Sequence, residues 1–244
     1  MQDYQEVPNP NKTFEITKIS LQRDYEAEAS TPKLLEGVPY YGIEEIIHKH
    51  EIDIPNGVYR AYGFEGIGFA IQLEPNSDLV FLKIFRNTAI PKPILKDFLQ
   101  KMKVRLESLA DKSGGYISHK EYLANLDYIA GFEKREATKE AEENSTIERQ
   151  AIALHVGNRV LPANVPKLQA IWTYNGKPVG YSCEYITGEM HKYSEYKDDP
   201  LFQEKVSLLF KNKIMMDNIG KNIIVKPNGQ VVFIDMNYFS DINE

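Results

Sequence analysis

The chain is short of several things at once. It has one cysteine, Cys183, one tryptophan, Trp172, and no apolar run approaching 18 residues. A single thiol closes no internal disulfide, so a reducing working compartment is expected and the fold must rest on its core. Without a long apolar run no membrane span is expected. The opening residues, MQDYQEVPNPNK, hold neither a basic n-region nor an apolar h-region, so no cleaved secretory signal is recognisable. Positive charge is also scarce: 29 Lys and Arg stand against 35 Asp and Glu, a net charge of −6. That argues against a nucleic-acid or anionic-membrane binder driven by bulk charge and leaves a local basic patch open. The five histidines are scattered without HxxxH or Cys/His spacing, which argues against a zinc site. Internal repeats and low-complexity tracts are missing too. What is present is 42% hydrophobic and 11% aromatic residue in 244 positions. This is enough to bury a core as one domain or two small lobes, and it rules out disordered, collagen-like and coiled-coil chains.

Residues 1–57 are polar and broken by Pro8, Pro10, Pro32, Pro39 and Pro55. Only 42–50 carries a helical pattern there, so the segment reads as an N-terminal extension. From Val58 the pattern turns to strands: VYRAYG, FEGIG, FAIQLEP and LVFLKIF predict a meander of three antiparallel strands with a turn at Asn76-Ser77-Asp78. Residues 93–155 read as helical, because Ile94, Phe98, Met102 and Leu106 share one face and the run EKREATKEAEEN makes a solvated one. Strands return over 168–174 and 179–185, joined by the hairpin signal Asn175-Gly176-Lys177-Pro178. After Gly188 come a polar loop, a helix over 200–216, and two short apolar strands, NIIV and VVFID, either side of Pro227-Asn228-Gly229. The fold class is α+β.

The chemistry concentrates near the C-terminus. Asp217 and Asn222 are five residues apart at a helix end and a strand start, and Asp235 follows Asn222 by thirteen at the end of the next strand. Phosphoryl transfer needs a carboxylate at the acceptor hydroxyl and oxygen ligands for Mg²⁺, and this hairpin carries three such groups. Asp and Asn beside a turn also serve as ordinary Asx caps. Two segments upstream are open in the same way. Gly63-Phe64-Glu65-Gly66-Ile67-Gly68 is either a plain turn or a place where backbone amides approach phosphate. Lys83, among apolar residues in VFLKIF, either snorkels from an edge strand or reaches into a cleft.

Taken in order, these segments resemble the protein-kinase superfamily. The glycine segment looks like the loop over the ATP phosphates, Lys83 like the lysine that contacts the α/β-phosphates, and Cys183-Glu184-Tyr185-Ile186-Thr187-Gly188 like the hinge whose backbone reads the adenine. Asp217, Asn222 and Asp235 match the catalytic Asp, the metal-binding Asn and the metal-loop Asp. Glu148, on the helix that leads into the strand at Leu168, is the expected partner of Lys83, with Glu107 behind it. Residues 93–144 would then be an insertion. Met215 and Met216 stand where most kinases carry His and Arg, and Asp235-Met236-Asn237 lacks the usual Phe-Gly. The sequence ends nine residues after Asp235, with no room for an activation segment. In this it is similar to the minimal kinases that bacterial pathogens inject into host cells, of the OspG and NleH type.

The resemblance implies a protein-kinase-like two-lobed fold: an antiparallel N-lobe over 58–186 and a reduced C-lobe over 187–244. It implies ATP with Mg²⁺ or Mn²⁺ between them, Gly66, Gly68, Lys83, Glu184 and Ile186 holding the nucleotide, Asn222 and Asp235 the metal, and Asp217, Lys83 and Glu148 forming the catalytic set. The acceptor would be a Ser or Thr hydroxyl of a host protein, met after non-classical secretion into host cytoplasm; otherwise the protein would be cytoplasmic. The need for a host activator stays open. Two alternatives stay open: a pseudokinase that docks a partner such as a ubiquitin-system protein, and a kinase-fold transferase that moves AMP or phosphorylates a small molecule. Cys183 is expected to be a small buried residue lining the adenine site and Trp172 to be core.

Overall fold

A computed structural model describes residues 21–48, 66–71, 73, 77–85, 89–91, 93–94, 97, 147–216 and 221–242. They make an α+β structure in which most strand pairs are antiparallel. β1 (Tyr40–Gly42), β2 (Gly66–Ile71), β3 (Val80–Phe85), β4 (Leu168–Tyr174) and β5 (Lys177–Glu184) form a five-stranded sheet in the order β1-β4-β5-β3-β2. Only β1 beside β4 is parallel.

The β4–β5 hairpin forms where the sequence signals it, but with a tighter turn. Tyr174 pairs with Lys177, so the loop is Asn175-Gly176, both at positive φ (48° and 74°). Two such residues make the primed turn whose twist matches antiparallel strands, and Asn-Gly accepts it at little cost. Pro178 lies inside β5, next to a register shift between Trp172 and Thr173.

The segment read as an extension is part of this sheet. Tyr40, Tyr41 and Gly42 pair with Ile171, Trp172 and Thr173, and α2 (Glu44–His48) follows. Its buried residues, Leu35, Val38, Tyr40, Ile43, Ile46 and Ile47, come in short pieces between prolines and turns, too few in any window to show a period. Before them α1 (Tyr25–Ala29) is capped by the Asp24 side chain, which accepts from the Ala27 N–H at 3.0 Å. The other Asp24 oxygen accepts from the Thr173 hydroxyl at 2.6 Å and ties this segment to β4.

Alternation along β3 gives the sheet two different faces. Val80, Leu82 and Ile84 join Ile43, Ile46, Ile47, Trp172, Tyr174 and Val179 in one apolar cluster. Phe81 and Phe85 point the other way, with Ile171, Tyr181 and Cys183, against α3 (Ile147–Val160). That second cluster continues past α3 into the C-terminal part, through Phe202, Leu209, Ile214, Ile223, Phe233 and Met236.

The C-terminal part is built from β6 (Glu189–His191), α4 (Pro200–Lys211), β7 (Ile214–Met216), β8 (Ile223–Val225), β9 (Val231–Phe233) and β10 (Met236–Tyr238). β8 and β9 pair as the sequence predicts, and β6 adds to β8 where a loop was expected. The helix expected over 200–216 stops at Lys211. Asn212 closes it, Lys213 adopts φ 64°, and the chain turns into β7, which pairs with β10. Met216 is buried there and Met215 is exposed. Asp199 caps the start of α4, accepting from Leu201 and Phe202, with Pro200 at the first position. The strand expected at 58–63 and nearly all of the 93–144 insertion lie outside the described residues. Among the described residues, no helix is long and apolar enough to cross a membrane.

Candidate functional site

Lys83 lies between Phe81 and Phe85 on β3, so the pleat sends its side chain to the α3 face of the sheet. It is 6% exposed. A buried ammonium needs partners, and the Nζ donates to Asp235 Oδ1 at 2.7 Å and to Gln150 Oε1 at 2.9 Å. The ammonium also lies 5.1 Å from the centre of the Phe85 ring, a favourable cation–π distance. Three segments distant in sequence therefore meet at one nitrogen. The same Gln150 oxygen accepts from the Tyr181 hydroxyl at 3.3 Å, and Tyr181 is the cross-strand neighbour of Lys83.

Glu148 is not that partner. Two residues apart on a helix means about 200° around its axis, so residues 148 and 150 look in nearly opposite directions. Gln150 is 1% exposed and faces Lys83. Glu148 lies on the side of Tyr40, whose hydroxyl is held in the neutral form by burial first and by the Glu148 charge after it, and burial raises the carboxyl pKa of Glu148 itself. The apolar spacing Ile147, Ala151, Leu154 marks the buried stripe and places Gln150 beside it, a signal that a search for carboxylates passes over. Glu107 and Asp217 lie outside the described residues.

Asp235 occupies the step between β9 and β10 at φ 55°, a left-handed conformation uncommon for residues other than glycine. Strained backbone of this kind persists where the surroundings fix it. Its side chain is 35% exposed, so one oxygen holds the buried lysine while the carboxylate stays open to solvent. Asn222, 7% exposed, comes immediately before β8, and its carbonyl accepts from the Ile234 N–H at 2.9 Å. The two expected metal ligands thus sit at the adjoining ends of paired strands.

Helix α3 is tied to this loop at both ends. Arg149 donates to the carbonyls of Tyr238 and Ser240 at 2.9 and 3.1 Å. Beyond the helix, Asn164 accepts from the Phe233 N–H at 2.8 Å and donates to the Val231 carbonyl at 2.6 Å. Gln150 and Asp235 are set against each other by these bonds as well as by Lys83.

The remaining expected residues take different places. Gly66 and Gly68, expected in a loop between strands, lie within β2 and pair with Phe85 and Lys83; residues 63–65 lie outside the described residues. Glu184 ends β5 and is exposed, and its N–H is committed to the Lys167 carbonyl at 2.9 Å. Ile186 follows just beyond, half-buried. Cys183 is buried beside Phe81, and burial pushes its thiol up to about 12, which makes it no nucleophile.

Asp235 and Asn222 carry a carboxylate and a carboxamide, hard oxygens of the kind Mg²⁺ or Mn²⁺ takes. Among the described residues, no group of three or more His, Cys, Asp and Glu is placed to hold a metal alone. No protein-family model matches the chain, and no curated protein matches it.

Proposed function

We propose that the chain is an ATP-dependent protein kinase of the minimal two-lobed kind, with the nucleotide between the five-stranded sheet and the β8–β9 hairpin. One observation carries the reading: a buried lysine on the third strand of the sheet meets the carboxylate that follows β9, across 152 residues of sequence, with a helix side chain as the third member. An apolar residue of similar volume would serve a purely structural position as well or better, because burying an ammonium costs several kcal/mol before its partners repay it.

When bound, ATP supplies the γ-phosphoryl group and Mg²⁺ or Mn²⁺ screens its charge. Lys83 brings one fixed positive charge to the α/β-phosphates. Asn222 and Asp235 would hold the cation, and Asp217 would orient the acceptor hydroxyl. Gly66 and Gly68 keep the strand beside Lys83 free of side chains, so phosphate can lie close to backbone. Catalysis is then mostly positioning and charge stabilisation. The resemblance assigns a Ser or Thr hydroxyl of a host protein as acceptor, and delivery from a bacterium.

The test is incubation of the protein with ATP and Mg²⁺ or Mn²⁺, with and without eukaryotic lysate, read by intact-mass and peptide mass spectrometry beside Asp217→Ala and Asp235→Ala. A phosphate adduct made by the wild type and by neither variant is the expected result. An AMP adduct would keep the nucleotide site and replace the chemistry. No transfer, together with no rise in melting temperature on adding ATP, would replace the enzyme by a binding module, since a ligand bound only by the folded state must stabilise it.

A further inference from the structure

We propose that the outward face of α4 is a self-association surface, on which α4 of a second copy of this chain packs antiparallel to form a symmetric dimer. Among the described residues, every exposed large apolar side chain except Tyr25 lies on α4, on β7 or directly after β10: Leu201, Leu208, Phe210, Met215 and Phe239. Leu201 is 67% exposed and Phe210 57%. The rings of Phe210 and Phe239 lie 5.1 Å apart between centroids, which joins the helix and the β7–β10 ribbon into one surface. Single exposed apolar residues are ordinary, but a gathering of them in one place marks a surface that another molecule covers.

The charges on this face choose the occupant. Phe202 and Leu209 turn one side of α4 into the core, and at about 100° per residue Glu204 and Lys211, both exposed, lie on the opposite side. Leu201 and Leu208 run along one margin of that outward line, and Phe210 stands on the other. Glu204 and Lys211 are seven residues apart, beyond the three- or four-residue spacing at which side chains of one helix meet. They are placed symmetrically about Ser207 and Leu208, so a two-fold axis at that level sets Glu204 of each copy against Lys211 of the other. The same axis brings Leu208 near its own counterpart on one margin and Phe210 near its own on the other, as an isologous contact requires. Ser207, exposed and small, lets the helices approach where they cross. A partner of one charge sign would satisfy only one of Glu204 and Lys211, whereas a second α4 run antiparallel satisfies both.

The test is sedimentation velocity on the full chain without nucleotide, from low to high micromolar concentration, so its outcome does not depend on any transferase activity. Wild type is expected to pass from monomer to dimer across that range. Glu204→Lys and Lys211→Glu each replace two attractions by two repulsions and should weaken self-association by roughly tenfold or more, at melting temperatures close to wild type. Mixed in equal amounts, the two variants should form a mixed dimer, because the first brings two cations to the outward line and the second two anions. Damage to the fold cannot produce that result. Both substitutions in one chain should restore the dimer, and Leu208→Ser should weaken it through the apolar margin. Wild type monomeric at every concentration would overturn the proposal and leave this face to a different partner. A wild-type dimer that neither charge reversal weakens, or a mixture that fails to associate, would overturn it as well.

Discussion

On one face of the five-stranded sheet, Val80, Leu82 and Ile84 of β3 pack with Trp172, Val179 and the isoleucines at and around α2. On the other, one residue out of step along the same strand, Phe81, Lys83 and Phe85 meet α3. The first face is wholly apolar at β3 and closed by a segment from the N-terminal part of the chain. The second carries a buried ammonium, an amide and a phenol in one hydrogen-bonded group. A pleated strand sends neighbours to opposite sides, so the apolar cluster and the buried polar group are separated by a single position rather than by a domain boundary. Substitutions on the first face should act on stability alone, and substitution of Lys83 on the second on ligand binding with a small effect on stability.

The largest effect should come from breaking the apolar face. Trp172→Ala, at a residue with no exposed surface, is expected to cost about 3–5 kcal/mol, read as a fall in the denaturant midpoint. Its ATP-induced stabilisation measured well below the melting transition should remain; loss of that stabilisation would mean the faces are coupled. Lys83→Met is the reciprocal case. The variant should keep the wild-type melting temperature within a few degrees or exceed it, because an apolar side chain suits the site and the half-open Asp235 can be hydrated once its partner is gone. The ATP-dependent shift should vanish. A large destabilisation instead would make the lysine structural.

A subtler change separates backbone from charge at Asp235. Asp235→Asn should retain the fold, since Asn accepts the left-handed conformation, and lose most of the metal-dependent activity. Asp235→Val should lose fold stability as well, seen as a lower melting temperature than the Asn variant. The smallest effect is expected from Glu148→Gln. Burial raises the folded-state pKa of this carboxyl, so its folding stability is complete below the unfolded-chain pKa and falls as pH rises through the folded value. The amide should therefore be slightly more stable than wild type at neutral pH, and the difference should close as the pH drops into the ordinary carboxylate range. Unchanged ATP affinity in this variant would sharpen the contrast with Gln150.

Parts of this were legible in the chain. The apolar strand VFLKIF, the Asn-Gly turn and the NIIV and VVFID pair fix local geometry through short-range rules, and the structure follows them. The strand at Ile214 to Met216 was not legible, because nothing local distinguishes three apolar residues at a helix end from three that leave it. It forms because β10 supplies the partner. The built-in role of residues 40–48 was hidden for a similar reason: their strand is three residues long and finds its partner more than 120 positions away.

The sequence by itself determined the α+β class, the hairpins, and a lysine with an acidic loop to look for, because each depends on side-chain period or turn chemistry within a few residues. Only the tertiary structure decided that Lys83 and Asp235 share a bond, that Gln150 rather than Glu148 completes the group, and that Gly66 and Gly68 lie in a strand. Those outcomes depend on how far a helix is rotated against a sheet and which strand ends adjoin, and those are fixed by burying the whole apolar surface together, which no short window of sequence contains.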